Sequence, residues 1–294
     1  MCDDHTEQDN EEGFESGRLS RRGFSAMSLA ALAACTTAPA GAVTVVEREV
    51  EITTPDGVID AHYAAPSSGK HPAVLVWPDI MGLRPAFRLM GKRLAESGYA
   101  VLTVNPFYRA AKGQVFDATT EKFSDPPVRQ RLVALMGPAT GNPENTKKDA
   151  IAAIGWLDKQ KEVDTSKGVG TTGYCMGGPL VMRTMAFVPG RVRSGGTFHG
   201  GGLWTTAATN PSALVPDMKA KAVLICVAQN DDKTDPTVKE KVKAAFDAKG
   251  IKAEVEVYAA DHGWCPPDSQ VYNAAEAERA WSRLLATFDG ALKA

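Results

Sequence analysis

Three side chains in this sequence have the types needed for acyl transfer: the thiol of Cys175, the carboxylate of Asp231 or its neighbour Asp232, and the imidazole of His262. Such chemistry needs a nucleophile, a base within reach of it, and a group that orients the base. Cys175 lies in Gly173-Tyr174-Cys175-Met176-Gly177-Gly178, between a β-prone run, Gly168–Thr172, and a helix-like stretch, Pro179–Phe187. Strand, Gly-x-nucleophile-x-Gly turn and helix make a nucleophile elbow, which pushes its middle residue outward at the sheet edge. The helix that follows presents its positive end to the thiol and favours a thiolate. Taken alone, a small buried cysteine in a glycine-rich turn explains the motif equally well. The acid and the histidine have to decide.

Asp231 and Asp232 directly follow the apolar run Ala222–Ala228, and His262 follows the β-prone run Glu254–Tyr258. Nucleophile, acid, histidine is the chain order of α/β-hydrolases, each residue standing just past a strand on the same edge of the sheet. His62, His71 and His199 do not occupy the third slot. A loop-capping aspartate and a surface histidine are the ordinary readings of the single residues. Three in order, each after an expected strand, favour catalysis. Asp231, nearer the strand end, is the preferred acid, with Asp232 as its rival.

The elements that must position these residues alternate along the chain. Strands are expected at Val43–Thr53, Val58–Ala64, Ala73–Val76, Val101–Val104, Ser194–Phe198, Ala222–Ala228 and Ala253–Tyr258, besides the elbow strand. Helices are expected from Pro85 to a stop at Gly98, over Asn145–Lys159 with Ile151, Ile154 and Leu157 on one face, over Val238–Lys249, and over Asn273–Phe288. The stretch from Ala110 to Asn142 lacks clean periodicity and reads as loops and short helices near the mouth of the site. Short continuous apolar strands alternating with helices predict an α/β fold with a mainly parallel central sheet, helices on both faces and a single domain over 43–294.

Of 294 residues, 44% are hydrophobic and 23% charged, with a net charge of -2, as in an ordinary globular protein and unlike a nucleic-acid binder. The five cysteines, at 2, 35, 175, 226 and 265, form no Cys-x-x-Cys pair, so neither a zinc ribbon nor a thioredoxin motif is present. Residues 1–42 read as a signal and linker outside the fold. Ser20-Arg21-Arg22-Gly23-Phe24 precedes an Ala-rich apolar run, Ala26–Ala34, and resembles a twin-arginine export signal. Leu32–Cys35 resembles a lipobox, which would anchor the chain to a membrane through Cys35, whereas Ala38-Pro39-Ala40 suits ordinary cleavage. A periplasmic or membrane-anchored location is expected, with a cytoplasmic one as the alternative.

The elbow, the Asp231-Asp232 pair and Asp261-His262-Gly263-Trp264 together resemble the dienelactone hydrolase family. Trp77-Pro78-Asp79-Ile80-Met81-Gly82 and Val104-Asn105-Pro106-Phe107-Tyr108-Arg109 resemble family segments too, so the likeness runs from about Val46 onward. It implies an α/β-hydrolase fold, a triad of Cys175, Asp231 and His262, no cofactor or metal, and an oxyanion hole from the backbone amides of Ile80 and Met176. It implies hydrolysis of a small ester or lactone such as dienelactone. In the founding enzymes a glutamate restrains the resting thiol and arginines hold the substrate carboxylate. Asp79, one methylene shorter, and Arg109 stand nearest to those places, while Arg183 and Arg191 take no assigned role. His199, in His199-Gly200-Gly201-Gly202, either lines the pocket or is a partly buried histidine in a glycine-rich turn. A broad carboxylesterase or peptidase on the same fold is the alternative activity, and a non-catalytic exported binding protein the alternative class. A monomer is expected.

Overall fold

The structure, a computed structural model, describes residues 43–293. The export signal, Arg21, Arg22 and Cys35 lie outside the described residues. Eight strands, β1 (Val45–Thr54), β2 (Gly57–Pro66), β3 (Ala73–Trp77), β4 (Ala100–Val104), β5 (Val169–Tyr174), β6 (Val192–Phe198), β7 (Ala222–Ala228) and β8 (Lys252–Tyr258), form one sheet in the order β1-β2-β4-β3-β5-β6-β7-β8. β1 and β2 pair antiparallel, β2 meets β4 antiparallel, and every pairing from β4 to β8 is parallel.

The helices are α1 (Pro85–Glu96), α2 (Pro126–Thr140), α3 (Pro143–Leu157), α4 (Gly177–Phe187), α5 (Gln229–Thr234), α6 (Thr237–Lys249) and α7 (Ala274–Phe288). The apolar run of β3 is continuous because both of its faces are covered. Leu75 belongs to the same buried cluster as Ile154 of α3, Val181 of α4 and Phe246 of α6. Val74 and Val76 belong to the cluster on the opposite face, with Phe87 and Leu94 of α1 and Leu284 and Phe288 of α7. Each such side chain, fully buried, contributes about 2 kcal/mol of apolar stabilisation.

Three expectations need correction. Ala110–Asn142 contains the full fifteen-residue helix α2, not only short pieces. It buries just Leu132 and Ala139 and carries Gly137 and Pro138 in its last turn, so no apolar periodicity marks it. Ile151 is 51% exposed, and α3 instead buries Thr146, Asp149, Ala150, Ala153, Ile154 and Leu157. Asp231 and Asp232 lie in the first turn of the short helix α5 rather than in a loop.

β3 is flanked by β4 on one side and β5 on the other, so the connections leaving β3 and β5 run in opposite directions across the sheet. That reversal opens a crevice at the carboxyl ends of these strands, where ligands of open α/β sheets bind. The segment after β3 carries Asp79 and Ile80, and the turn after β5 carries Cys175.

Candidate active site

Cys175 has φ 51°, a left-handed conformation that a residue with a Cβ adopts only when its surroundings enforce it. Its N–H donates to the Phe198 carbonyl at 3.0 Å and its carbonyl accepts from Gly178 at 3.0 Å. The flanking glycines are required by close approach. A Cβ at Gly173 would stand 2.4 Å from the Gly177 carbonyl oxygen, and one at Gly177 would stand 2.4 Å from that of Trp77. The second contact also presses the elbow against the end of β3, which brings the Ile80 segment beside Cys175. Neither the Ile80 nor the Met176 N–H donates to an acceptor among the described residues. Both residues are buried, and buried amides without a partner are uncommon.

His262 follows β8 and is 5% exposed. Its Nδ1 lies 2.8 Å from Asp231 Oδ2, and its ring is also hydrogen-bonded to the Cys175 side chain. With Nδ1 held by the carboxylate, Nε2 is the atom left for the thiol proton. Asp232 instead accepts from Lys239 Nζ at 2.5 Å, so of the two neighbouring carboxylates only Asp231 meets the imidazole. Asn230 splints this arrangement: its Oδ1 accepts from the His262 N–H at 2.9 Å and from the Asp231 N–H at 3.1 Å. The sequence reading missed Asn230, whose only signal is its place between the strand end and the acid.

Burial alone would push the His262 imidazolium down, but the charges of Asp231 and of a Cys175 thiolate, with hydrogen bonds to both, lift it from 6.5 to about 10. A thiolate at Cys175 therefore keeps His262 protonated at neutral pH. Because the folded value is raised, its contribution to stability is complete below 6.5 and is lost as pH rises through about 10. An isolated thiol gains about twentyfold in alkylation rate between pH 7 and pH 9. With His262 charged over that range, the iodoacetamide rate at Cys175 should change less than about threefold, and His262→Asn should restore the steep profile. A twentyfold rise in the unaltered protein would show that no ion pair exists. Cys226 and Cys265 are buried free thiols that burial holds protonated; both belong to the apolar cluster on the α1–α7 face.

The remaining candidates lie in other settings. Asp79, expected beside the thiol, is bound at both oxygens by Arg84, at 2.7 and 3.0 Å, and caps the Met81 N–H at 2.9 Å. Arg84, 1% exposed, also grips Asp268 at 2.7 and 2.9 Å. This triad ties the Ile80 segment to the chain following His262. Burial pushes the Asp79 carboxyl up, opposed by Arg84, and the two carboxylates keep Arg84 charged. Arg109, expected to clamp substrate, is held by both oxygens of Asp149 at 2.7 and 2.8 Å and by Asp56 at 2.8 Å. Its place beside Asp149 of α3 makes it a tie between the loop after β4 and the scaffold.

His199 is 1% exposed, has φ 41°, and its ring centre lies 5.0 Å from those of both His262, to which it is tilted, and Trp264, which it meets edge-on. Neither of its ring nitrogens has a hydrogen-bond partner. Burial and the charge of His262 hold it neutral. It is thus fully buried beside His262 and Trp264, not the partly buried turn histidine that was one expectation. A cleft of about 130 Å³ opens on the outer side of Asp231, lined by Gly200–Leu203 and α6; Cys175 and His262 do not line it.

The parallel sheet, the strained elbow and the strand-end acid and histidine have the layout of an α/β-hydrolase. Residues 59–292 match the dienelactone hydrolase family, and the chain belongs to that family. It is 29% identical over 279 residues, 90% of this chain and 91% of the relative, to a Methylorubrum extorquens protein named as a putative carboxymethylenebutenolidase. It is 29% identical over 130 residues, 44% of this chain and 51% of the relative, to the carboxymethylenebutenolidase of Pseudomonas sp. strain P51. Among solved structures it superposes with a TM-score of 0.69 on the dienelactone hydrolase-like promiscuous phosphotriesterase P91 from metagenomic libraries. That match has 24% identity and covers 86% of this chain and all of the other.

Proposed function

We propose that this family member hydrolyses a carboxylic ester or lactone, of the carboxymethylenebutenolide kind, with Cys175 as nucleophile, His262 as base and Asp231 as its orienting acid. The observation that carries the reading is the continuous hydrogen-bonded line from Asp231 through His262 to Cys175, beside two unengaged buried amides. The thiolate attacks the carbonyl carbon and the carbonyl electrons move onto oxygen. The amides of Ile80 and Met176 receive that oxyanion, a task worth about 3 kcal/mol per donor in comparable sites. As the tetrahedral intermediate collapses, His262 gives its proton to the leaving alkoxide; in a lactone that group stays attached to the acyl chain. Water, deprotonated by His262, then attacks the thioester and releases the acid and the thiolate. Asp231 keeps the imidazole in the tautomer that serves both steps.

The two adjacent aspartates supply the test. Asp231→Asn should lower kcat on an activated aryl ester by about 10³-fold or more, because the ring loses its orientation. Asp232→Asn, which disturbs only a partly exposed pair with Lys239, should stay within about threefold. Equal effects from the two changes would remove the basis for the proposed triad.

A further inference from the structure

Arg84 and Arg183 are both buried, 1% and 4% exposed, and only Arg84 has counter-ions. Arg183, on α4, makes one hydrogen bond among the described residues: its Nη1 donates to the Thr140 carbonyl at 2.5 Å. Its Nε is enclosed without a partner, and no carboxylate opposes the burial that pushes its pKa down. A buried cation is costly unless an anion meets it, and a guanidinium does not shed its charge. The Thr140 contact caps the C-terminal end of α2 but uses one of five N–H donors. The edge it leaves unpaired, Nε with Nη2, suits a carboxylate gripped at both oxygens. In this protein the same edge holds Asp268 at Arg84, Glu49 at Arg88 and Asp158 at Arg191.

The head of Arg183 borders the surroundings of the thiol. Met176 caps α4 and Arg183 stands two turns further on, so the two share a face of that helix, about 10 Å apart along its axis. A long helical side chain leans back toward the N-terminus, here toward Met176 and Cys175. Its partner Thr140 follows Ala139, which belongs to one buried cluster with Cys175, Met176, Ile80, Phe107 and Leu132. The other cation beside Cys175, His262, is already engaged by Asp231 and the thiol.

We propose that Arg183 is a specificity-determining residue of this site, its Nε–Nη2 edge receiving a carboxylate at the far end of the acyl chain carried on Cys175. This rests on the hydrolase reading above and deepens it by naming the charge on the acyl group and the side chain that reads it. When a lactone of the carboxymethylenebutenolide kind opens, its carboxylate stays on the acyl chain. A carboxylate that reaches Arg183 exchanges water for two charge-assisted hydrogen bonds and compensates a buried cation. A methyl group of the same reach leaves that cation stranded.

The test uses a matched pair, mono-p-nitrophenyl adipate and p-nitrophenyl hexanoate, which differ by a carboxylate in place of the terminal methyl. We expect kcat/KM to favour the adipate by about tenfold or more. Arg183→Gln, which keeps an N–H for Thr140, should bring the ratio to parity or below. Arg183→Lys, a point charge without the fork, should retain part of it. The ratio is read on one preparation, so a smaller folded fraction does not alter it. Equal turnover or a hexanoate preference in the unaltered protein overturns the proposal, as does an adipate preference that survives Arg183→Gln. If Arg183→Gln yields no folded protein, Arg183→Lys decides: a ratio lowered by about threefold or more supports the proposal, and an unchanged one overturns it. If neither ester is turned over, the hydrolase reading fails by itself. The anion site is then read by calorimetric titration of both proteins with adipanilic acid and hexananilide. Tighter binding of the acid that is lost in the variant supports the site, and any other pattern overturns it.

Discussion

Replacing Cys175 with alanine should lower kcat/KM for an activated aryl ester by about 10⁴-fold or more and leave the fold in place. The size follows from the role: without the thiolate no thioester forms, and what survives is the contribution of the oxyanion donors and binding. The fold survives because the side chain is small and alanine meets the same strain at φ 51°. The loss of packing at a 4% exposed cysteine is of the order of 1 kcal/mol. Near-normal turnover by Cys175→Ala would mean that another group attacks the ester.

The second large effect is expected at Arg84, which takes no part in the proposed proton transfers. Arg84→Met leaves Asp79, 4% exposed, facing Asp268 with no cation between them. Removing one partner from a buried ion network costs about 4 kcal/mol, because the remaining charge is stranded. The urea midpoint should fall accordingly. Adding Asp79→Asn and Asp268→Asn to the same chain should recover much of the loss, since no charge is then left uncompensated. The fraction that stays folded should lose kcat more than KM, because Arg84 fixes the segment that presents the Ile80 amide. A stability change under about 1 kcal/mol for Arg84→Met would show that the triad is solvated and does not tie the two segments.

What could be read from the sequence follows what is local. β3, β4 and β7 were legible because a strand covered on both faces is a short unbroken apolar run, and Gly98 and Gly250 marked helix ends through their left-handed backbone. The approximate positions of Cys175, Asp231 and His262 were legible because each stands just past a strand, and chain order then carries them to one edge. The preference for Asp231 over Asp232 rested only on its nearness to the strand end. The choice itself depends on the rotation of α5, which turns one carboxylate to His262 and the next to Lys239. The partner of Asp79 was hidden for a different reason. Arg84 is five residues away, but its second carboxylate, Asp268, is 184 residues further along, and nothing local announces such a pair. α2 was missed because it covers the site with only two buried side chains and so has no full apolar stripe. Ile151 was placed inward because it fits the spacing of Ile154 and Leu157, yet Ala150 and Ala153 face the core in its place.

The central claim is that hydrolysis passes through a thioester on Cys175, and the most direct measurement is to catch it. The protein is mixed with excess p-nitrophenyl acetate at neutral pH and quenched in acid within the first turnover; the intact mass and the peptide carrying residue 175 are then weighed. The account predicts one acetyl group per chain, located on Cys175, formed at the rate of the p-nitrophenol burst and absent from Cys175→Ala. An acetyl group on any other residue, or a burst with the peptide of Cys175 unmodified, would contradict it.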